Sequence, residues 1–218
     1  MRFHSVVLSV GMLSACAQVA ARPLEGLGFE ASSDTLRMSR LDSLPENMPL
    51  VNRFFWGRKG LVRLLGLDPP SRRAELALRA EMLQTHQKLG FLLLGAMTAQ
   101  VLTGQLMYSQ GARYYSALQP VHQALGYLSF GLYMATASLS MLAPPARRYQ
   151  AGLYPIQLHR YLAFVHFPGM MAQPWLGWAM RNAQNPDTYR RLRSWHRWVG
   201  WITYGALLGA FGMTLWEF

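Results

Sequence analysis

Beyond residue 80 the chain alternates long apolar runs with short breaks. The uncharged stretch between Lys88 and Arg113 is the first run. Arg113 to Arg147 brackets the second, Arg160 to Arg181 the third and Arg197 to Glu217 the fourth. Each is about as long as the ~20 residues a helix needs to cross hydrocarbon. Gly111, Pro144-Pro145 and Asn185-Pro186 mark the connections. Pro120 and Pro155 fall where a first helical turn tolerates proline. Spans are expected over about residues 83–108, 119–143, 156–180 and 194–216. Hydrocarbon offers backbone groups no water, so the spans must be helices. Short connections make neighbours antiparallel. The expected fold is all-α: an integral membrane, up-down four-helix bundle over residues 72–218.

The N-terminal third has a different pattern. Arg2 precedes an apolar stretch from Val6 to Leu13, followed by small residues through Ala21, which reads as a signal peptide over residues 1–21. Leu13-Ser14-Ala15-Cys16 matches a bacterial lipobox and makes Cys16 a candidate lipidation site. The alternatives are an ordinary cleavage near Ala17 or Ala21, or an uncleaved anchor. Residues 22–71 form an extramembrane arm, without periodicity as far as about residue 55. From Trp56 to Leu67, leucines and Val62 interleave with Arg58, Lys59 and Arg63, the pattern of an interfacial amphipathic helix in the headgroup layer. Asp68-Pro69-Pro70-Ser71 ends it, and Ser71 is placed to cap a helix running from Arg72 into the membrane.

Composition supports this division. Charged residues are 14% of the 218, against about 25% in soluble domains. Eight of the ten acids lie at or before Glu81, and none occurs between Glu81 and Asp187. The net charge of +11 comes from basic residues gathered at the ends of apolar runs. Lipid headgroups account for them, and no recognition motif points to nucleic acid. Tyr108, Tyr114, Tyr115, Trp175, Trp178, Trp195, Trp198 and Trp216 cluster at the same ends, as an interfacial belt does. One cysteine excludes a disulfide within the chain or a cysteine-ligated cluster.

The chemistry lies in a repeated unit, His-x-x-x-small, at the start of each run. Its copies are His86 with Gly90, His122 with Gly126, His159 with Ala163 and His196 with Gly200. Histidine is costly inside a membrane and marks function there. Antiparallel helices put His86 and His159 on one side, His122 and His196 on the other. Two ligands per side are what two bis-histidine haems require, and a small residue one turn on clears space for a macrocycle. Gly95, Gly131 and Gly205 follow their histidines by nine residues and carry less weight. Tetrahedral zinc fits poorly, because its ligands would be split between two sides. Headgroup contact for the histidines and helix packing for the small residues are the plainer alternatives. His166, seven residues after His159, is a secondary candidate: a propionate donor, a quinone-pocket residue or a rival ligand. Lys88, Arg160 and Arg197 lie within two residues of ligands, where propionates or headgroups would meet them.

Residues 83–217, with His86, His122, His159 and His196 on consecutive helices, resemble the core of the cytochrome b561 family. The resemblance implies haem b at two bis-histidine sites, His86 with His159 and His122 with His196, and transmembrane electron transfer. Better-known members carry two further flanking spans, and their ascorbate-site motifs are not found here. The expected partners are the bilayer and a small-molecule or protein electron donor and acceptor, quinone among them, with membership of a larger complex open. A cleaved leader puts the arm in the periplasm of a bacterial inner membrane. A haem-free structural subunit and a single-haem quinone-reactive cytochrome are the competing readings.

Overall fold

The structure, a computed structural model, describes residues 44–110, 112–149 and 152–215. The leader, Cys16 and the first part of the arm lie outside them. The described residues form six helices and no strand: α1 (Leu50–Trp56), α2 (Leu61–Leu64), α3 (Arg72–Ser109), α4 (Ala112–Met141), α5 (Pro155–Arg181) and α6 (Pro186–Leu215). They divide into two compact units, one of residues 44–84 with 140–149, the other of residues 85–139 with 152–215.

In the first unit α1 and α2 meet the start of α3 and the loop after α4. Arg63 and Glu75 are both buried and bond at 2.7 Å. Arg63 also reaches Asp68 at 3.0 Å, and Arg72 reaches the second Glu75 oxygen at 2.7 Å. Buried charge is tolerated because each group is paired. The Pro144-Pro145 loop presents carbonyls that cannot join a helix, and side chains satisfy five in succession. Trp56 donates to Leu142, Asn52 to Ala143, Arg79 to Pro144, and Arg72 to Pro145 and Ala146, at 2.7–2.9 Å. Ser71 caps α3 as expected, its Oγ accepting from Ala74 N at 3.2 Å.

The single helix expected over 56–67 is instead two short ones, and the first begins earlier, at Leu50. Two glycines divide them. A Cβ on Gly57 would strike the Arg53 carbonyl, and one on Gly60 would sit 2.5 Å from the Phe55 carbonyl. Gly66, at φ +66°, ends α2 in a conformation that favours glycine. Arg63 lies inside the unit, not among headgroups. Leu50, Phe54, Leu64, Leu65 and Leu67 remain exposed and apolar.

The second unit holds α5, α6 and the greater part of α3 and α4. Contacts near opposite ends make neighbours antiparallel: His86, early in α3, reaches the Thr136 carbonyl late in α4, and His159, early in α5, reaches the Ala210 carbonyl late in α6. Asn185 Oδ1 caps α6 by accepting from Thr188 N at 2.8 Å, with Pro186 at the first helical position, so this helix starts before residue 194. Pro120, expected in a first turn, lies inside α4 because the helix begins at Ala112.

Helices α3 and α6 are long and apolar enough to cross a membrane. α4 and α5, of 30 and 27 residues, have the length but dilute their apolar residues with Tyr, Trp, Gln, His and Pro. Around a core of Leu93, Met97, Tyr133 and Met170, this unit leaves large apolar side chains outside and buries several polar ones. Phe91, Leu102, Leu128, Phe164 and Ile202 are all more than half exposed, while Ser129, Thr136, His166 and Thr203 are buried.

The unit is also built twice over. His86, Met97, Gln100 and Gly104 on α3 recur 73 positions later as His159, Met170, Gln173 and Gly177 on α5. His122, Gly126, Ser129 and Gly131 on α4 recur 74 positions later as His196, Gly200, Thr203 and Gly205 on α6. Each hairpin is a copy of the other, short of identity but matching at its polar and small positions.

Candidate functional site

The four repeated histidines come together as two pairs. The rings of His86 and His159 have centroids 6.2 Å apart and planes at 72°. Those of His122 and His196 lie 6.1 Å apart, also at 72°. Each pair takes one ring from each hairpin. An imidazole binds a metal at about 2.0–2.1 Å from its nitrogen. With the ring centre roughly 1 Å behind that nitrogen, two axial imidazoles on one metal have centroids about 6 Å apart. Both planes then contain the metal–nitrogen axis, so any twist between them is compatible.

The tautomers fit as well. His86 Nδ1 lies 2.8 Å from the Thr136 carbonyl, His159 Nδ1 2.9 Å from that of Ala210, and His122 Nδ1 3.1 Å from that of Gln100. A carbonyl only accepts, so Nδ1 carries the hydrogen and Nε2 keeps its lone pair, the form in which histidine ligates metals. His196 Nδ1 is buried without a partner. Among the described residues no three His, Cys, Asp or Glu side chains converge, so the arrangement is two pairs and not a cluster.

A cavity of about 460 Å³ adjoins His122 and His196, within the size range of ligand sites. Gln100, Gln173, Tyr108 and Trp201 line it, with Arg181, Arg193 and Arg197. Arg197 and Arg193 lie 4.2 and 4.6 Å from the centre of the Tyr108 ring. Arg193 donates to the carbonyls of Met107 and Tyr108, and Arg197 to Gln105 Oε1. Arg190 is taken by Asp187. Lys88 and Arg160 are exposed.

The small residues after the histidines divide into two kinds. A Cβ on Gly90 would meet nothing within 4 Å, and the same holds for Gly95, Gly131 and Gly205. At Gly126 it would lie 3.2 Å from the Gln100 amide, and at Gly200 3.4 Å from that of Gln173. These two glycines therefore admit a glutamine from the neighbouring helix. Gln100 Nε2 is 3.2 Å from His122 Nε2, and Gln173 donates to the His196 carbonyl at 3.0 Å. The glycines directly against the rings are Gly104, where a Cβ would come within 2.8 Å of His122, and Gly177, at 3.7 Å from His196. Reading the histidine unit alone misses Gln100, Gly104, Gln173 and Gly177. Their signal is a second repeat, Gln-x-x-x-Gly, at the same 73-residue offset.

His166 does not join either pair. Its Nδ1 bonds the Tyr133 hydroxyl at 2.7 Å in the interior. No family model, curated protein or solved structure matches the chain.

Proposed function

We propose that this chain is a b-type cytochrome that carries single electrons across a bacterial inner membrane. Its four long helices form an antiparallel transmembrane bundle holding two haems, one between His86 and His159, the other between His122 and His196. The observation that carries this reading is the duplicated ligand geometry: two pairs, each with one histidine per hairpin, at 6.2 and 6.1 Å and the same 72°. Edge-to-face rings elsewhere in the molecule reach similar separations, so the weight rests on one geometry recurring in both pairs of the four-histidine series.

Bis-histidine haem supplies reversible one-electron chemistry and leaves no open position for oxygen or substrate. The rest falls to the chain's own residues. The Thr136, Ala210 and Gln100 carbonyls fix ring orientation and tautomer. Outward Phe91, Leu128, Phe164 and Ile202 suit lipid tails. Arg181, Arg193 and Arg197, on the cavity of the second pair, suit the carboxylates of a porphyrin. The order and pairing of the histidines match the b561 core, which supports a divergent form of that family. The donor and acceptor are external, a small molecule such as a quinol or a protein of a larger complex, and the arm lies in the periplasm.

The test is a reduced-minus-oxidised absorption spectrum of the purified protein, with a haem assay. An alpha band in the b-type region and about two haems per chain are expected. No alpha band refutes the proposal, and a ratio near one favours a single-haem quinone-reactive cytochrome.

A further inference from the structure

The interior holds two polar pairs that the repeat does not require, Thr98 with Tyr204 at 2.8 Å and the more deeply buried Tyr133 with His166. Tyr133 and His166 are 3% and 7% exposed and joined by the 2.7 Å hydrogen bond, while His166 Nε2 is buried with no partner. Their equivalents in the other copy are Leu207 and Leu93, both packed in the same apolar cluster. The fold therefore packs well with leucine at these positions. A polar pair kept in their place, in apolar surroundings, is costly and points to use.

The pair lies between the two histidine sites. On α4, Tyr133 is one turn beyond Ser129, and on α5, His166 is one turn before Met170. Ser129 and Met170 both line the cavity of the His122/His196 site. In the other direction, Tyr133 precedes by three residues Thr136, whose carbonyl holds His86. His166 follows His159 by seven residues, roughly 10 Å along the helix axis. The ionisable groups facing His166 are Tyr133 from α4, His86 from α3, His159 on its own helix, and Tyr204 of α6 in the surrounding cluster. No Asp, Glu, Lys or Arg occurs between Arg113 and Arg147 or between Arg160 and Arg181. Between those arginines α4 and α5 carry no fixed charge to balance a change at the pair.

We propose that Tyr133 and His166 form a proton-accepting station that compensates the electron arriving at the His86/His159 site. This rests on the dihaem reading. One electron from an external one-electron donor lowers the charge of that site by one. The Tyr133 O–H bond breaks as its proton bonds His166 Nδ1, and the phenolate oxygen regains a proton from a water on the Ser129 side, which takes one in turn from bulk solvent. One electron and one proton are thus taken up together. Tyr133 stays neutral, His166 becomes imidazolium, and reoxidation returns the proton by the same route. Buried Ser129 Oγ, without a hydrogen-bond partner in the structure, stands where such a water would bind.

The experiment is spectroelectrochemical titration of the purified holoprotein between about pH 5 and 8, the range over which histidine changes charge. One of the two midpoint potentials should fall with pH, approaching about 59 mV per tenfold drop in proton concentration. In His166→Leu, the residue of the other copy, that slope should flatten while both haems stay bound. His166→Gln, which keeps a partner for Tyr133, should flatten it equally and serves where the leucine variant does not fold. A slope unchanged in either folded variant, or absent in the natural protein, overturns the station and leaves the dihaem reading standing. A preparation without haem overturns both.

Discussion

At the scale of single residues, the positions that matter are those where one atom decides the packing. Gly169 is the sharpest. A Cβ there would collide with Thr203 Oγ1, and the Thr203 side chain cannot turn aside freely, because its hydroxyl donates to the Val199 carbonyl at 2.6 Å. α5 and α6 therefore approach as closely as they do only with glycine at 169. Gly169→Ala should cost about 1–3 kcal/mol through overpacking, read as a lowered thermal unfolding midpoint. Adding Thr203→Ala should recover part of the loss, because the two side chains compete for one space. Simple addition of the two losses would show that the contact does not set the helix spacing. Gly126 and Gly200 illustrate the limit of reading residues singly. As members of the histidine unit they suggest clearance for a macrocycle, yet the atoms their Cβ would meet belong to Gln100 and Gln173. A one-dimensional motif cannot show which neighbouring helix fills a gap.

At the scale of elements, the long helices were legible because charge-free runs and proline breaks are strong local signals. Pro155 and Pro186 start α5 and α6, and Ser71 caps α3. Helices α4 and α6 extend N-terminal of the expected spans, because Tyr114 and Tyr115, or Tyr189 and Arg193, look polar in sequence while continuing the helix. The 56–67 segment departs from its sequence pattern for a different reason. Its basic residues suggested headgroups, but Arg63 finds Asp68 and Glu75, partners five and twelve residues on. That network gives the first unit its own test. Glu75 is fully buried against two arginines, so Glu75→Ala leaves uncompensated charge and should cost on the order of 3–5 kcal/mol. Limited proteolysis should then cut within residues 50–70 while haem content holds. A cleavage pattern like that of the natural protein would mean that Arg63 and Arg72 find other partners or water.

At the scale of the whole chain, the repeat decides how function divides. Histidine intervals alone show a regular series, and the matching polar and small positions turn it into two copies of one hairpin, each lending one histidine to each facing pair. On the proposed dihaem reading a hairpin is never a complete site, and the two sites share no ligand. Paired substitutions separate this from the alternative in which each hairpin holds its own cofactor. His86→Ala with His159→Ala removes both ligands of one pair and should leave about one haem per chain, as His122→Ala with His196→Ala should. His86→Ala with His122→Ala takes one ligand from each pair and should remove both haems, although it touches only one hairpin. The count comes from a haem assay per folded chain, with helical content confirming that the bundle persists. If the last variant keeps one haem while the first two keep none, ligands pair within hairpins, and the facing rings at 6.2 and 6.1 Å are contacts of another kind. Retention of both haems in every variant would exclude these histidines as ligands altogether.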